Sequence, residues 1–260
     1  MRWALPVVLL SGCGRLSFDA TGDAANDDVS SVDALSGHDE DGDGVPDLID
    51  VCPHYPDPTQ IDTDLDRVGN ACDPQPAVSQ QRWLFFSPLA GPDSRIVTTG
   101  QAWTRGAEEW SVVSPNSGSN LFVAGAFKDI DVFVAIDLTS LAPTNRQLAI
   151  IIQNDAAMPY YYGELFDGTG SGAAAVITQF DGTSYTGLNN AVYGAFPVGR
   201  TTFMHLIARM ASATFTLDVD GTVASAPTPT YTGAQNLSVG MGGCAGSVRY
   251  IAVVETLAAN

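Results

Sequence analysis

Basic residues are scarce in this 260-residue chain, where 11 lysines and arginines face 29 aspartates and glutamates for a formal net charge of -18. A nucleic-acid partner would need a basic face to meet its phosphates, so this balance excludes that class. Long helical periodicity is missing too, which excludes a helix bundle and leaves β architecture as the economical class. Past the N-terminal stretch, no apolar run approaches the ~18 residues that a spanning helix requires. There are only four cysteines. The acidity is unevenly spread: residues 1–75 hold 16 acidic and 3 basic side chains, and residues 76–260 hold 13 and 8.

Much of that acidity forms two aspartate ladders around a cysteine pair, DEDGDGVPDLIDVCPHYPDPTQIDTDLDRVGNACD. In the first, Asp39, Asp41, Asp43, Asp47 and Asp50 fall at positions 1, 3, 5, 9 and 12 of a twelve-residue window, with Gly44 sixth and the Val45 carbonyl seventh. This is the ligand spacing of an EF-hand loop. In the second, Asp62, Asp64, Asp66, the Val68 carbonyl, Asn70 and Asp73 repeat the phase. Calcium takes about 6 to 8 hard oxygen donors, and alternate residues of a tight loop can point inward together to supply them. Carboxylates about 5 Å apart repel by roughly 0.8 kcal/mol per pair even in water, so a cation would collapse the loops. An ordinary EF-hand is ruled out by Pro46 inside the first loop, by Cys52 and Pro53 just after it, and by the lack of flanking amphipathic helices. A bridge between Cys52 and Cys72 is the expected scaffold, because it would close about 20 residues and constrain the unfolded chain by roughly 3 kcal/mol.

Residues 39–73 resemble the thrombospondin type 3 repeat, whose pattern DxDGDGVPDxxDxCP followed by NPxQxDxDxDGxGDxCD is matched nearly throughout. The resemblance implies aspartate-rich loops that wrap Ca2+ around a disulfide, a module placed here at residues 38–75. Three positions depart from the pattern: Leu65 and Arg67 replace glycines and Asn70 replaces an aspartate, so the second site is expected to be the weaker. His38 and His54 flank the module and are expected to be exposed rather than to ligate a hard cation.

The N-terminus, MRWALPVVLLSGC, has a minimal basic region, a short apolar stretch and small residues before Cys13, the form of a secretory signal peptide over residues 1–12. Eight apolar residues of helix rise about 12 Å, too little for a hydrocarbon core of roughly 30 Å. Leu10, Ser11, Gly12 and Cys13 resemble the lipobox of bacterial lipoproteins. That resemblance implies lipid attachment at Cys13 and a membrane anchor, with Gly14 giving no reason for inner-membrane retention and hence an outer-membrane or cell-surface location. Residues 13–37 are expected to carry the lipid and a flexible acidic tether reaching about 27 Å. An oxidising compartment suits the cysteines, with Cys244 left over as a buried, inert thiol.

From residue 80 to residue 260 the composition turns to Val, Ile, Phe, Thr and Gly with a period of two. Ile130, Val132, Val134, Ile136 and Leu138 alternate with Asp131, Phe133, Ala135 and Asp137. Phe215, Leu217 and Val219 precede Asp220-Gly221, a two-residue hairpin signal. These patterns predict an antiparallel β-sandwich or jelly roll. FTLDVDGTVAS, LSVGMGG and VRYIAVVE resemble the terminal strands of concanavalin A-like, laminin G-like domains, implying that jelly roll and a lectin-like ligand. Glycoside hydrolysis would need two carboxyl groups about 5 to 9.5 Å apart, and no ExDxE strand supplies them. Glu164, Asp129 and Asp131 are expected to be surface or turn acids and His205 structural. Tyr160, Tyr161, Tyr162, Trp103 and Trp110 are candidate sugar platforms or core. The sequence therefore points to recognition of a glycan or cell-surface protein, with calcium stiffening a spacer beneath the β domain. A polysaccharide hydrolase or a purely structural envelope protein are the alternatives.

Overall fold

The computed structural model describes residues 37–113, 118–153, 159–210, 212–228, 231 and 234–257. The expected signal peptide, Cys13 and all of the tether but its last residue lie outside them. Among the described residues the protein is all-β, with two antiparallel sheets and no helix. The strands are β1 (Gln81–Ser87), β2 (Ile96–Gly100), β3 (Thr104–Arg105), β4 (Trp110–Val112), β5 (Ser119–Phe127), β6 (Ile130–Leu141), β7 (Arg146–Gln153), β8 (Tyr160–Asp167), β9 (Ala173–Phe180), β10 (Tyr185–Gly194), β11 (Thr201–Arg209), β12 (Thr214–Val219), β13 (Thr222–Pro227), β14 (Ala234–Gly242) and β15 (Cys244–Thr256).

One sheet runs β13-β12-β11-β6-β15-β4-β3, with β1 also pairing β15; the other runs β10-β9-β8-β7-β14-β5-β2. Alternation sets which side chains meet between them. Ile130, Val132, Val134, Ile136 and Leu138 of β6 all turn into the core, as do Leu148, Ile150 and Ile152 of β7. Two β-branched central strands thus face each other across a sandwich, the packing that period-two sequences favour. Asp220 and Gly221 both take positive φ, 49° and 86°, in the tight turn that closes β12 onto β13. Mirror-image hairpin turns of this kind follow the twist of the strands. Trp110 and Tyr161 are core residues, which removes both from any sugar platform. Cys244 is buried as expected, and burial pushes its thiol up to about 12.

The outer face of the first sheet carries one continuous row. The register aligns Ala252 of β15, Phe133 of β6, His205 of β11 and Asp218 of β12. Phe133 and His205 stack at 4.1 Å between centroids, with an interplanar angle of 18°. Around them Tyr250, Ala135, Ala252, Trp83 and Phe86 make an apolar patch on a face that an isolated sandwich would leave to water. The aspartate-rich segment packs over this patch instead of standing off as a spacer. Its His54 ring lies 4.5 Å from Phe133, 5.5 Å from Trp83 and 5.6 Å from Tyr250. His54 is therefore buried, contrary to the expectation of exposure, because these three rings enclose it.

Candidate metal centres and the cleft beside them

Cys52 and Cys72 form the expected disulfide, with Cα atoms 5.7 Å apart. The two aspartate loops on either side of it share one hydrogen-bond plan. The first aspartate takes two backbone N–H groups of its own loop: Asp39 accepts from Gly42 and Gly44, each at 2.9 Å, and Asp62 from Leu65 at 2.8 Å and Arg67 at 2.9 Å. The third-position aspartate accepts from the residue two further on, Asp41 from Asp43 and Asp64 from Asp66. The fifth closes the turn and reaches onward. Asp43 accepts from Val45 and, at 2.9 Å, from Asp57; Asp66 accepts from Val68 and, at 2.7 Å, from Gln81 at the start of β1. The twelfth accepts from the residue two beyond it, Asp50 from Cys52 and Asp73 from Gln75.

The same plan leaves the same atoms over. Asp41 Oδ2 and Asp50 Oδ2 in the first loop, and Asp64 Oδ2 and Asp73 Oδ2 in the second, are buried with no hydrogen-bond partner. Buried carboxylate oxygens without donors carry a large desolvation cost, which a cation would offset. Carboxylate oxygens of Asp39, Asp41 and Asp43 come within 4.8 Å of one another, as do those of Asp62, Asp64 and Asp66. An oxygen-only donor set of this kind fits a hard divalent cation such as Ca2+. Burial, together with the charges of Asp43, Asp50 and Asp39, pushes the Asp41 carboxyl up to about 7; burial and Asp66, Asp64 and Asp62 push Asp73 up to about 6.

The ninth positions are placed differently. Asp47 accepts from the Glu40 N–H at 2.9 Å and pairs with His38 Nδ1 at 2.7 Å, so both its oxygens are engaged by protein. Asn70 accepts from the Thr63 N–H at 2.9 Å, the equivalent bond seven residues back. These two side chains tie the loop start to its end. His38, held by Asp47 and by Glu108 at 3.1 Å, is a structural tie rather than the exposed residue expected. The departures at positions four and six keep the glycine backbone: Gly42 and Gly44 sit at φ 77° and 93°, and Leu65 and Arg67 are held at 65° and 75°.

Between this module and the first sheet lies a cleft of about 900 Å3. Its floor carries Asp131, which is buried and bridged by His205 at 2.9 Å and by Arg209. Arg249 pairs with Glu40 of the module at 3.2 Å across one end. Asp131 was expected at the surface; the guanidinium and imidazole on the neighbouring strand are what let its charge be enclosed. On the opposite sheet, Glu164 is likewise buried, accepting from Thr178 at 2.5 Å and from Gln147, and burial raises its carboxyl above the usual range. Tyr160, Tyr162, Phe180 and Tyr185 cluster beside it. The sequence hinted at neither burial, since both depend on partners from other strands.

The thrombospondin type 3 repeat family matches residues 35–60. No curated protein matches the chain significantly by sequence. Among solved structures, the carbohydrate binding module CBM66 from Bacillus subtilis is similar at a TM-score of 0.51 and 12% identity, covering 61% of this chain and 94% of that one. The CBM2 module of the evolved Dit protein of Lactobacillus casei BL23 phage J-1 aligns at 0.56 and 7%, over 70% of this chain and 98% of that one. The exoplasmic/lumenal domain of VIP36, in a form bound to Ca2+ and Man2, aligns at 0.52 and 10%, over 66% and 87%. At such identities the likeness establishes a shared jelly-roll fold.

Proposed function

We propose that this protein is a calcium-binding, lectin-like recognition protein of the cell surface, whose aspartate module holds Ca2+ and whose sandwich binds a glycan. The observation that carries the reading is the repetition of four buried, partnerless carboxylate oxygens at equivalent positions of two loops. In the first loop Asp39, Asp41, Asp43 and Asp50, with the Val45 carbonyl, would hold the ion; in the second, Asp62, Asp64, Asp66 and Asp73, with the Val68 carbonyl. Asp47 and Asn70, at the ninth positions, would complete each set, directly or through water, while also closing the loop. Calcium would neutralise the crowded carboxylates and fix the module against the sheet, so that binding free energy becomes folding free energy. The glycan half of the reading is supported by the jelly-roll likeness to a carbohydrate binding module and to a mannose-bound domain. Anchoring through a lipid on Cys13 is supported by the lipobox-like residues before it.

Calorimetric titration of the full chain with CaCl2 tests the calcium half. Saturable binding at two sites is expected, with Asp41→Asn removing one and Asp64→Asn the other. Only weak heat that disappears in 0.5 M salt, which on the order of its ~4 Å Debye length would screen surface charge, would sink the reading.

A further inference from the structure

We propose that the cleft between the aspartate module and the outer face of the first sheet is the glycan site, and that it takes a neutral oligosaccharide gripped between Phe203 and Tyr55. The inference rests on the reading of the sandwich as a glycan binder and adds the place, the ligand class and the dependence on the module.

Ligand sites of about 300 to 1,000 Å3 form preferentially where two units of a chain meet, and a cleft of about 900 Å3 at this junction has both properties. Two aromatic rings line it yet remain open to water: Phe203 from β11 is 53% exposed and Tyr55 from the module is 54% exposed. β11 lies inside the sheet between β12 and β6, and its other outward side chains near the ring are Thr201 and His205. A phenylalanine there forgoes the burial that its area would reward in the core. Flat apolar rings with open faces suit the C–H faces of a sugar, and they suit little else in a wall so rich in carboxylates.

Charge decides which sugars. Asp131, Asp218, Asp220 and Glu40 face the cleft against the two guanidinium groups of Arg209 and Arg249. Each of those is already committed, Arg209 to Asp131 and Arg249 to Glu40. Asp220 is taken as well, by Arg200 at 2.7 Å, which leaves Asp218 as the unpaired charge of the four; a uronic acid or sulfated chain would meet that carboxylate and no unpaired cation among the described residues that line the cleft. Hydroxyl groups meet acceptors instead. Asp218 takes one backbone N–H, from Gly221, and stands in the same register row as the stacked Phe133 and His205. The floor is pre-organised, since His205, Asp131 and Arg209 hold one another before any ligand arrives.

One wall of the cleft belongs to the module, including Asp41 and Asp73 from the two candidate calcium loops. Sugar binding is then calcium-dependent without a calcium–sugar contact, because the ion shapes the wall.

The test is calorimetry of the full chain in CaCl2 against three neutral hexasaccharides, maltohexaose, cellohexaose and mannohexaose, with hexagalacturonate as the acidic counterpart. At least one neutral chain binds, and Phe203→Ala and Tyr55→Ala each weaken it by roughly tenfold, the scale of one well-placed aromatic contact. Both rings are exposed, so truncation spares the fold, which thermal melts check. Tyr185→Ala on the opposite sheet retains the affinity, and chelation with EGTA removes it. Unchanged affinity in both cleft variants, with loss in Tyr185→Ala, would overturn the cleft while leaving glycan recognition standing. Tighter binding of hexagalacturonate than of any neutral chain would overturn the ligand class. No heat from any of the four would overturn the glycan reading together with the cleft, and the separate calcium titration would still report on the module.

Discussion

Leu65 and Arg67 hold a backbone conformation that costs an L-residue about 1 kcal/mol or more, in the places where the first loop has glycine. Replacing either with glycine should relieve roughly 1 kcal/mol and tighten the second calcium site about fivefold, read as the weaker of two constants in a calcium titration. The first site's constant should not move. His54 makes a second argument at the same scale. Burial, with His205 nearby, pushes its pKa down to about 3 from an ordinary 6.5, so it is neutral in the folded protein. Below pH 6.5 the unfolded chain binds a proton that the folded chain refuses, and stability then falls by up to about 1.4 kcal/mol for each pH unit until pH nears 3. Above pH 6.5 the group contributes no slope. In saturating calcium, His54→Phe should therefore flatten the dependence of Tm on pH between 6.5 and 4.5 relative to wild type. An equally steep profile in the variant would assign the acid sensitivity to other groups. Neither burial nor strain at these positions is written locally in the sequence: His54 is enclosed only because Trp83, Phe133 and Tyr250 arrive from three other strands.

At the scale of the element, the ladders were legible because their chemistry is local. Each aspartate accepts at least one N–H from two to seven residues away, so spacing carried most of the geometry within each loop; the longer reaches are those of Asp43 to Asp57 and Asp66 to Gln81. At position nine the side chain also binds back to the loop start, Asp47 to His38 and to the Glu40 N–H, which spacing alone does not reveal. Strands β6 and β12 to β15 were legible for a similar reason, because period two fixes a face regardless of which neighbour pairs with it. The buried acids were not. Asp131 and Glu164 look like surface residues until Arg209, His205, Thr178 and Gln147 are brought to them by strand pairing. Apart from the backbone between them, the disulfide is the covalent cross-link that holds the module's two loops together. Reducing it should cost the module about 3 kcal/mol, expected as selective proteolysis between residues 38 and 79 in calcium-free buffer while the strands stay intact. Calcium should restore much of the resistance even in the reduced protein.

For the whole molecule, docking of the module would couple the proposed metal binding to the sandwich. The patch of Trp83, Phe86, Phe133, Tyr250 and Ala252 loses its cover if the module melts, so removing calcium should lower the sandwich's own Tm as well as the module's. A single calcium-dependent transition is expected in calorimetry; two transitions with only the first sensitive to EGTA would mean that the module rides on a sandwich indifferent to it. The handover at the fifth aspartate reaches further. Asp43 grips the segment that leads into the second loop, and Asp66, offset by 23 residues, grips Gln81 and so the first strand. To the loop before it, β1 is therefore what a further loop would have been: the next length of chain, held by one N–H. Units added ahead of the first loop would leave this seam untouched, so a chain built on this plan could gain reach while keeping its join to the sandwich.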